Sequence, residues 1–103
     1  GLSTPRHVLL TAEEDGVPVG SAWLGLDHPR GVPHCAFLNL IVIDEARRGR
    51  GLGRELLAAV EREARSRGAS AIELNVFGAN RPAVALYDSA GYVVITQQMR
   101  KPL

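Results

Sequence analysis

Between residues 37 and 68 the spacing of apolar side chains changes from that of a strand to that of a helix, across the seven residues "RRGRGLG" (47–53). Before it lies the apolar run "FLNLIVI" (37–43); after it comes the amphipathic stretch "GRELLAAVEREARSRG" (53–68). Leu52, Leu56 and Val60 recur at i, i+4, i+8, and Leu57 widens that stripe, which is helical spacing. Only folds with a strand-loop-helix junction accommodate such a switch. Glycine admits unusual dihedrals and close backbone approach, and arginine offers a planar fork of donors suited to phosphate. Three glycines and three arginines in seven positions suggest a polyphosphate held at a strand-to-helix turn.

The flanking segments read as follows. "HVLLTAEE" (7–14) and "PVGSAWLGL" (18–26) are strands joined by Asp15-Gly16, a hairpin turn signal. "DHPRGVPH" (27–34) is a loop punctuated by Pro29, Gly31 and Pro33, and "CAFLNLIVI" (35–43) is a central strand expected to be buried on both faces. The helix over 51–67 carries Glu61–Arg65 and Glu63–Arg67 as i,i+4 pairs and exits at Gly68. "AIELNVF" (71–77) alternates as a strand, and "NRPAVALYDSAG" (80–91) is a short helix capped by Asn80. "YVVIT" (92–96) reads as another strand, and "QQMRKPL" (97–103) as an edge strand or a frayed end. The order is β-β-β-α-β-α-β, an α/β domain whose antiparallel meander leads into a right-handed parallel βαβ crossover. The loop then sits at the carboxyl end of an inner strand, where open α/β sheets bind ligands.

The chain has 103 residues, enough for one domain, and no repeats. Its formal net charge of +1 argues against a general nucleic-acid binder. The positive charge is local: Arg47, Arg48, Arg50 and Arg54 fall within eight residues. A single cysteine, Cys35, excludes an internal disulfide and any CxxC metal or redox motif, and its apolar flanks suit a buried small hydrophobe. No apolar run approaches the ~20 residues of a membrane span. No signal-peptide pattern opens the chain, so a reducing cytoplasmic setting is expected. Nothing points to a bound metal.

A helix beginning near Gly51 presents unpaired N–H groups and a positive dipole end to the loop, which bind anions. The glycines clear Cβ atoms from a phosphate, and Arg48 and Arg50 add charge-assisted contacts. Two nucleotide motifs fail. The Walker A pattern lacks its Lys-Ser or Lys-Thr. The GxGxxG fingerprint starting at Gly49 meets Arg54 where glycine or alanine is needed, and its ribose acid would have to be Glu73, inside a strand.

A different pattern matches fully. "RGRGLG" (48–53) has the form R/Q-x-x-G-x-G/A, and "LNVFGANRPAVALYDSAGY" (74–92) reads L-x-V-x-x-x-N-x-x-A-x-x-L-Y-x-x-x-G-Y/F. Together these resemble the GNAT superfamily of acyl-CoA-dependent N-acyltransferases, over roughly residues 35–96. The resemblance implies a mixed, largely antiparallel GNAT-type sheet with a V-shaped cleft between strands 35–43 and 71–77. It implies acetyl-CoA as co-substrate and an amine as acceptor, with no membrane or nucleic-acid partner; homodimerisation is left open. Two departures stand out. "DEA" (44–46) replaces a frequent proline before the loop, and the family's usual upstream strand and two helices have no counterpart here. One domain, 1–103, truncated at its amino end, is therefore expected.

The resemblance also assigns roles. Main-chain atoms of Ile41 and Ile43 would hydrogen-bond the pantetheine arm, and Arg48, Gly49, Arg50, Gly51, Leu52, Gly53 and Arg54 would hold the CoA pyrophosphate. Asn80 would cap its helix and contact the pantetheine or cysteamine region. Tyr87 would protonate the departing thiolate, a task suited to a phenol with an ordinary pKa of about 10. Tyr92 is expected in the core. Asn39 stands where the family frequently carries an acidic residue; Glu73, His34 and His28 are the substitutes for a general base, each more readily read as a surface residue or loop histidine. The rival reading is a non-catalytic acyl-CoA-binding or sensing domain, or the downstream part of a larger acetyltransferase.

Overall fold

In the computed structural model, which describes residues 6–49 and 51–103, three strands form an antiparallel meander and a fourth joins in parallel. They are β1 (His7–Glu14), β2 (Val17–Gly25), β3 (Cys35–Ile43) and β4 (Ala71–Leu74), in that spatial order. The β1–β2 turn places both Asp15 and Gly16 at positive φ, as the two-residue hairpin requires. Helix α1 (Leu52–Ser66) makes the crossover between β3 and β4, and α2 (Arg81–Ser89) follows. A short 3-10 turn, Glu45–Arg47, leads out of β3.

Helix α1 buries Leu56, Leu57, Val60 and Ala64, the stripe that the helical spacing defines. These residues pack with Ala22, Leu24, Ala36, Leu38 and Tyr87 in one core on a single face of the sheet. On the outer side, Arg67 Nε donates to Glu63 at 2.9 Å and Arg65 approaches Glu61 at 4.0 Å. Leu57 is 1% exposed. Leu57→Ala should therefore cost about 2–5 kcal/mol of stability, read by chemical denaturation, because it removes buried methyls and leaves a cavity.

Strand β3 is not buried on both faces. Trp23 pairs with Leu40 while Leu24 pairs with Leu38, so Asn39 is an extra residue, a β-bulge. The bulge inverts the pattern of facing. Ala36 and Leu38 point into the core before it, Ile41 and Ile43 pack there after it, and Leu40 and Val42 are left exposed on the opposite face. No helix of the described residues covers that face at Leu40, so the continuous apolar run satisfies one layer and leaves the other open.

Two further expectations need correction. Strand β4 ends at Leu74 rather than residue 77, and residues 92–96 form no strand. Val93, Val94 and Ile95 are all exposed. Strand formation depends on a partner more than on composition; the neighbouring β4 offers an edge of four residues, and 92–96 take no place in the ladder. The expected order β-β-β-α-β-α-β is thus realised up to α2.

Candidate functional site

The pairing of β3 with β4 runs from Cys35↔Ala71 to Leu38↔Leu74 and stops there, one residue before the bulge. Beyond it, β3 keeps its partner on one side only, with Ala22 opposite Ile41 and Gly20 opposite Ile43. Its other edge, residues 39–43, has no strand partner among the described residues. Backbone donors and acceptors on such an edge pair readily with an extended ligand. The Ile41 and Ile43 side chains are core, and their main-chain atoms lie along this open edge.

The loop carries the edge into α1. Gly49 and Gly51 have φ of 80° and 79°, and a Cβ at either would meet nothing within 4 Å. Conformation, not crowding, demands glycine there. Gly51 is the N-cap of α1 and supplies no side-chain cap. The first N–H groups of α1, from Leu52, Gly53 and Arg54, have no side-chain partner in the cap, so the positive end of the helix dipole is left for an anion. At α2, by contrast, Asn80 Oδ1 accepts from the Ala83 N–H at 3.3 Å.

The arginines divide. Arg48 Nε donates to the Ile43 carbonyl at 3.3 Å, folding its side chain back over the turn. Arg54 donates to Ser89 Oγ at 2.7 Å and ties α1 to α2. Arg47 forms an ion pair with Glu14 on β1. Arg50 lies outside the described residues. Gly53 has a structural surrounding of its own: a Cβ there would stand 3.5 Å from Leu86 and 3.9 Å from Ile43, between α2 and β3.

Tyr87 and Tyr92 meet with ring centroids 5.6 Å apart, yet their hydroxyls differ. Tyr92 Oη donates to Glu61 at 2.8 Å, and burial together with that carboxylate pushes its pKa far up. Tyr87 is buried, which raises its pKa above the ordinary phenol value, and its hydroxyl has no hydrogen-bond partner among the described residues. Nor is that oxygen sealed from solvent. Of the two phenols, only Tyr87 leaves its O–H without a hydrogen-bond partner among the described residues.

His28 and Glu73 find each other across 45 residues, Nε2 to Oε1 at 2.7 Å. His28 is buried, not a surface loop residue, and its Nδ1 accepts from the Arg30 N–H at 3.0 Å. The neutral ring therefore carries its proton on Nε2 and donates it to Glu73. Arg30 adds a contact to the same carboxylate at 3.2 Å, and the hydrogen bond from His28 holds the Glu73 carboxyl below its usual range. Cys35 is buried as expected, and desolvation, then Glu73, pushes its thiol up. The ligating atoms of His28, Cys35 and Glu73 lie within 4.8 Å of one another. The Arg30 amide nevertheless fixes the tautomer that protonates Nε2, the nitrogen facing the other two groups, so hydrogen bonding accounts for the cluster.

The cluster lies at the opening half of β3, before the bulge, and pins the 27–34 loop to β4. His28→Ala should destabilise the fold by about 2 kcal/mol, measured in denaturant, through the lost buried hydrogen bonds. His34 is exposed at positive φ, with its carbonyl accepting from the Ser70 N–H at 2.8 Å. Near it a cavity of about 300 Å³, lined by residues including Arg6, His28, His34 and Arg67, stands apart from the loop and the open edge. Among the described residues no helix is long and apolar enough to cross a membrane.

Comparison with known proteins agrees with this arrangement. Residues 2–92 match the model of the acetyltransferase (GNAT) family. The chain belongs to that family. Among relatives, it is 37% identical over 106 residues to the uncharacterized N-acetyltransferase YdgE of Bacillus subtilis, covering all of this chain and 66% of that protein. The crystal structure of YycN from Bacillus subtilis superposes with a TM-score of 0.84 at 32% identity, covering 97% of this chain and 64% of that one. The aminoglycoside N-acetyltransferase AAC(6')-Iy in complex with CoA shares the fold, with a TM-score of 0.77 at 22% identity over 92% of this chain and 74% of that one. The chain thus spans about two thirds of the length of YdgE and YycN.

Proposed function

We propose that this chain transfers an acetyl group, or another short acyl group, from acyl-CoA to a primary amine of a small molecule or protein. The observation that carries the reading is the coincidence of three features on one path: the unpaired edge 39–43, the positive-φ glycines, and the uncapped N-terminus of α1. The pantetheine arm would lie along the edge, bonded to main-chain atoms of Ile41 and Ile43. The pyrophosphate would sit on the amides of Gly49 to Arg54, with Arg48 and Arg50 adding charge. Asn80, whose side-chain oxygen caps α2, would contact the arm through its remaining amide donors.

The chemistry follows from the thioester. The neutral amine attacks the carbonyl carbon, the tetrahedral oxyanion collapses, and the C–S bond breaks as the C–N bond is kept. Tyr87 gives its proton to the departing thiolate and is reprotonated from solvent; the surplus proton of the amine passes to water. A thiol-release assay with acetyl-CoA and a panel of amines and peptides tests the reading. Release above buffer with at least one acceptor is expected; tight CoA binding with no release for any acceptor would favour the second reading, a CoA-binding module. The uncharged Asn39 beside the open edge, where the family frequently carries an acidic residue, is the observation that keeps it in view.

A further inference from the structure

The open face of the sheet carries a second constellation beside the bulge. Leu9, Trp23 and Leu40 stand in register across β1, β2 and β3, an apolar row with an indole at its centre. Trp23 Nε1 donates to His7 Nδ1 at 2.9 Å, and the two rings lie 5.3 Å apart. An indole nitrogen only donates, so the neutral His7 ring holds its proton on Nε2. Next to them is Gly25. A Cβ on it would stand 3.1 Å from Asn39 Nδ2 and 3.7 Å from His7 Nδ1, so the bare glycine lets both side chains converge over the strand. Neither His7 Nε2 nor the Asn39 amide has a partner among the described residues. Asn39 is also the residue at which β3 leaves β4. The constellation therefore adjoins the edge assigned to the thioester arm.

Resting on the transferase reading above, we infer that His7, Trp23 and Asn39 form the acceptor subsite, and that it takes an α-aminoacyl group with an apolar or aromatic side chain. The side chain lies on the Leu9–Trp23–Leu40 row. The carbonyl oxygen next to the amine accepts from His7 Nε2–H and the Asn39 amide. Asn39 bears no charge with which to take the amine's proton, and here magnitudes decide between amine classes. With pKa values of about 7.7–8.0 for an α-amine and about 10.4 for lysine, roughly a third of the former and about a thousandth of the latter is neutral at pH 7.5. An uncharged bulge residue suits the amine that needs no base.

Trp23 is the only tryptophan, so its fluorescence reads this subsite without any turnover. The probes are L-phenylalaninamide and 2-phenylethylamine, which differ by the carboxamide alone. L-Phenylalaninamide should change the emission saturably and bind about tenfold more tightly. His7→Ala should bring the two affinities within about twofold, and His7→Gln, which retains an N–H donor, should restore the preference. Equal affinities in the native chain, no saturable change, or a preference that survives His7→Ala would overturn the inference. A preference that persists while CoA fails to bind supports the subsite and removes the transferase reading; CoA binding without the preference does the reverse.

Discussion

Tyr87→Phe should lower turnover by roughly a hundredfold or more while leaving CoA affinity nearly unchanged. A positioned general acid contributes on that scale, and a group that acts only as the C–S bond breaks affects kcat and kcat/KM together. The substitution removes one oxygen from a side chain whose ring is core and whose hydroxyl bonds to nothing else described, so the fold is retained. Burial raises the Tyr87 pKa, which keeps the phenol protonated throughout neutral and mildly alkaline pH. Activity should accordingly climb with pH as the acceptor amine loses its proton, and decline from deprotonation of Tyr87 only above its ordinary value of about 10. Tyr92→Phe offers the contrast. It breaks the bond to Glu61 and should affect stability before it affects turnover.

Gly51→Asp should weaken CoA binding by at least about a hundredfold in isothermal titration, with the melting temperature little changed. The left-handed conformation at Gly51, φ 79°, costs a side chain about 1–2 kcal/mol. Aspartate tolerates that region better than most residues and its charge suits the positive helix end, which offsets part of the cost. The carboxylate, however, would occupy the helix terminus and repel a pyrophosphate there. Loss of binding in a folded protein separates the anion role of this loop from a purely structural one. Arg48→Ala should weaken binding less, since the Arg48 guanidinium already spends one donor on the Ile43 carbonyl.

What the sequence discloses here is local chemistry. The Asp15-Gly16 turn, the Asn80 cap, the apolar stripe of α1 and the loop glycines each follow from residue types at fixed short spacings. Features that depend on a distant partner are not legible in that way. Residues 92–96 have the composition of a strand but no ladder to join. The bulge at Asn39 is hidden because "FLNLIVI" is apolar at nearly every position, so no alternation betrays the change of face. His28 and Glu73 are separated by a whole crossover, and each taken singly reads as a surface group. The proposed cofactor path is legible because it is built from backbone, glycine conformation and a helix terminus. The inferred acceptor subsite is not, because it depends on side chains that three strands bring together.

Acyl-CoA is proposed to lie on the free edge of β3 and the glycine loop, and an amide-resolved NMR titration with CoA decides whether it does. The amides of Asn39 to Ile43, Gly49 and Gly51 to Arg54 should shift together at one saturable affinity, while those of β1 near Asp15 stay still. Shifts confined to the 27–34 loop and residues 67–69, around the cavity of about 300 Å³, with the loop amides unmoved, would contradict it.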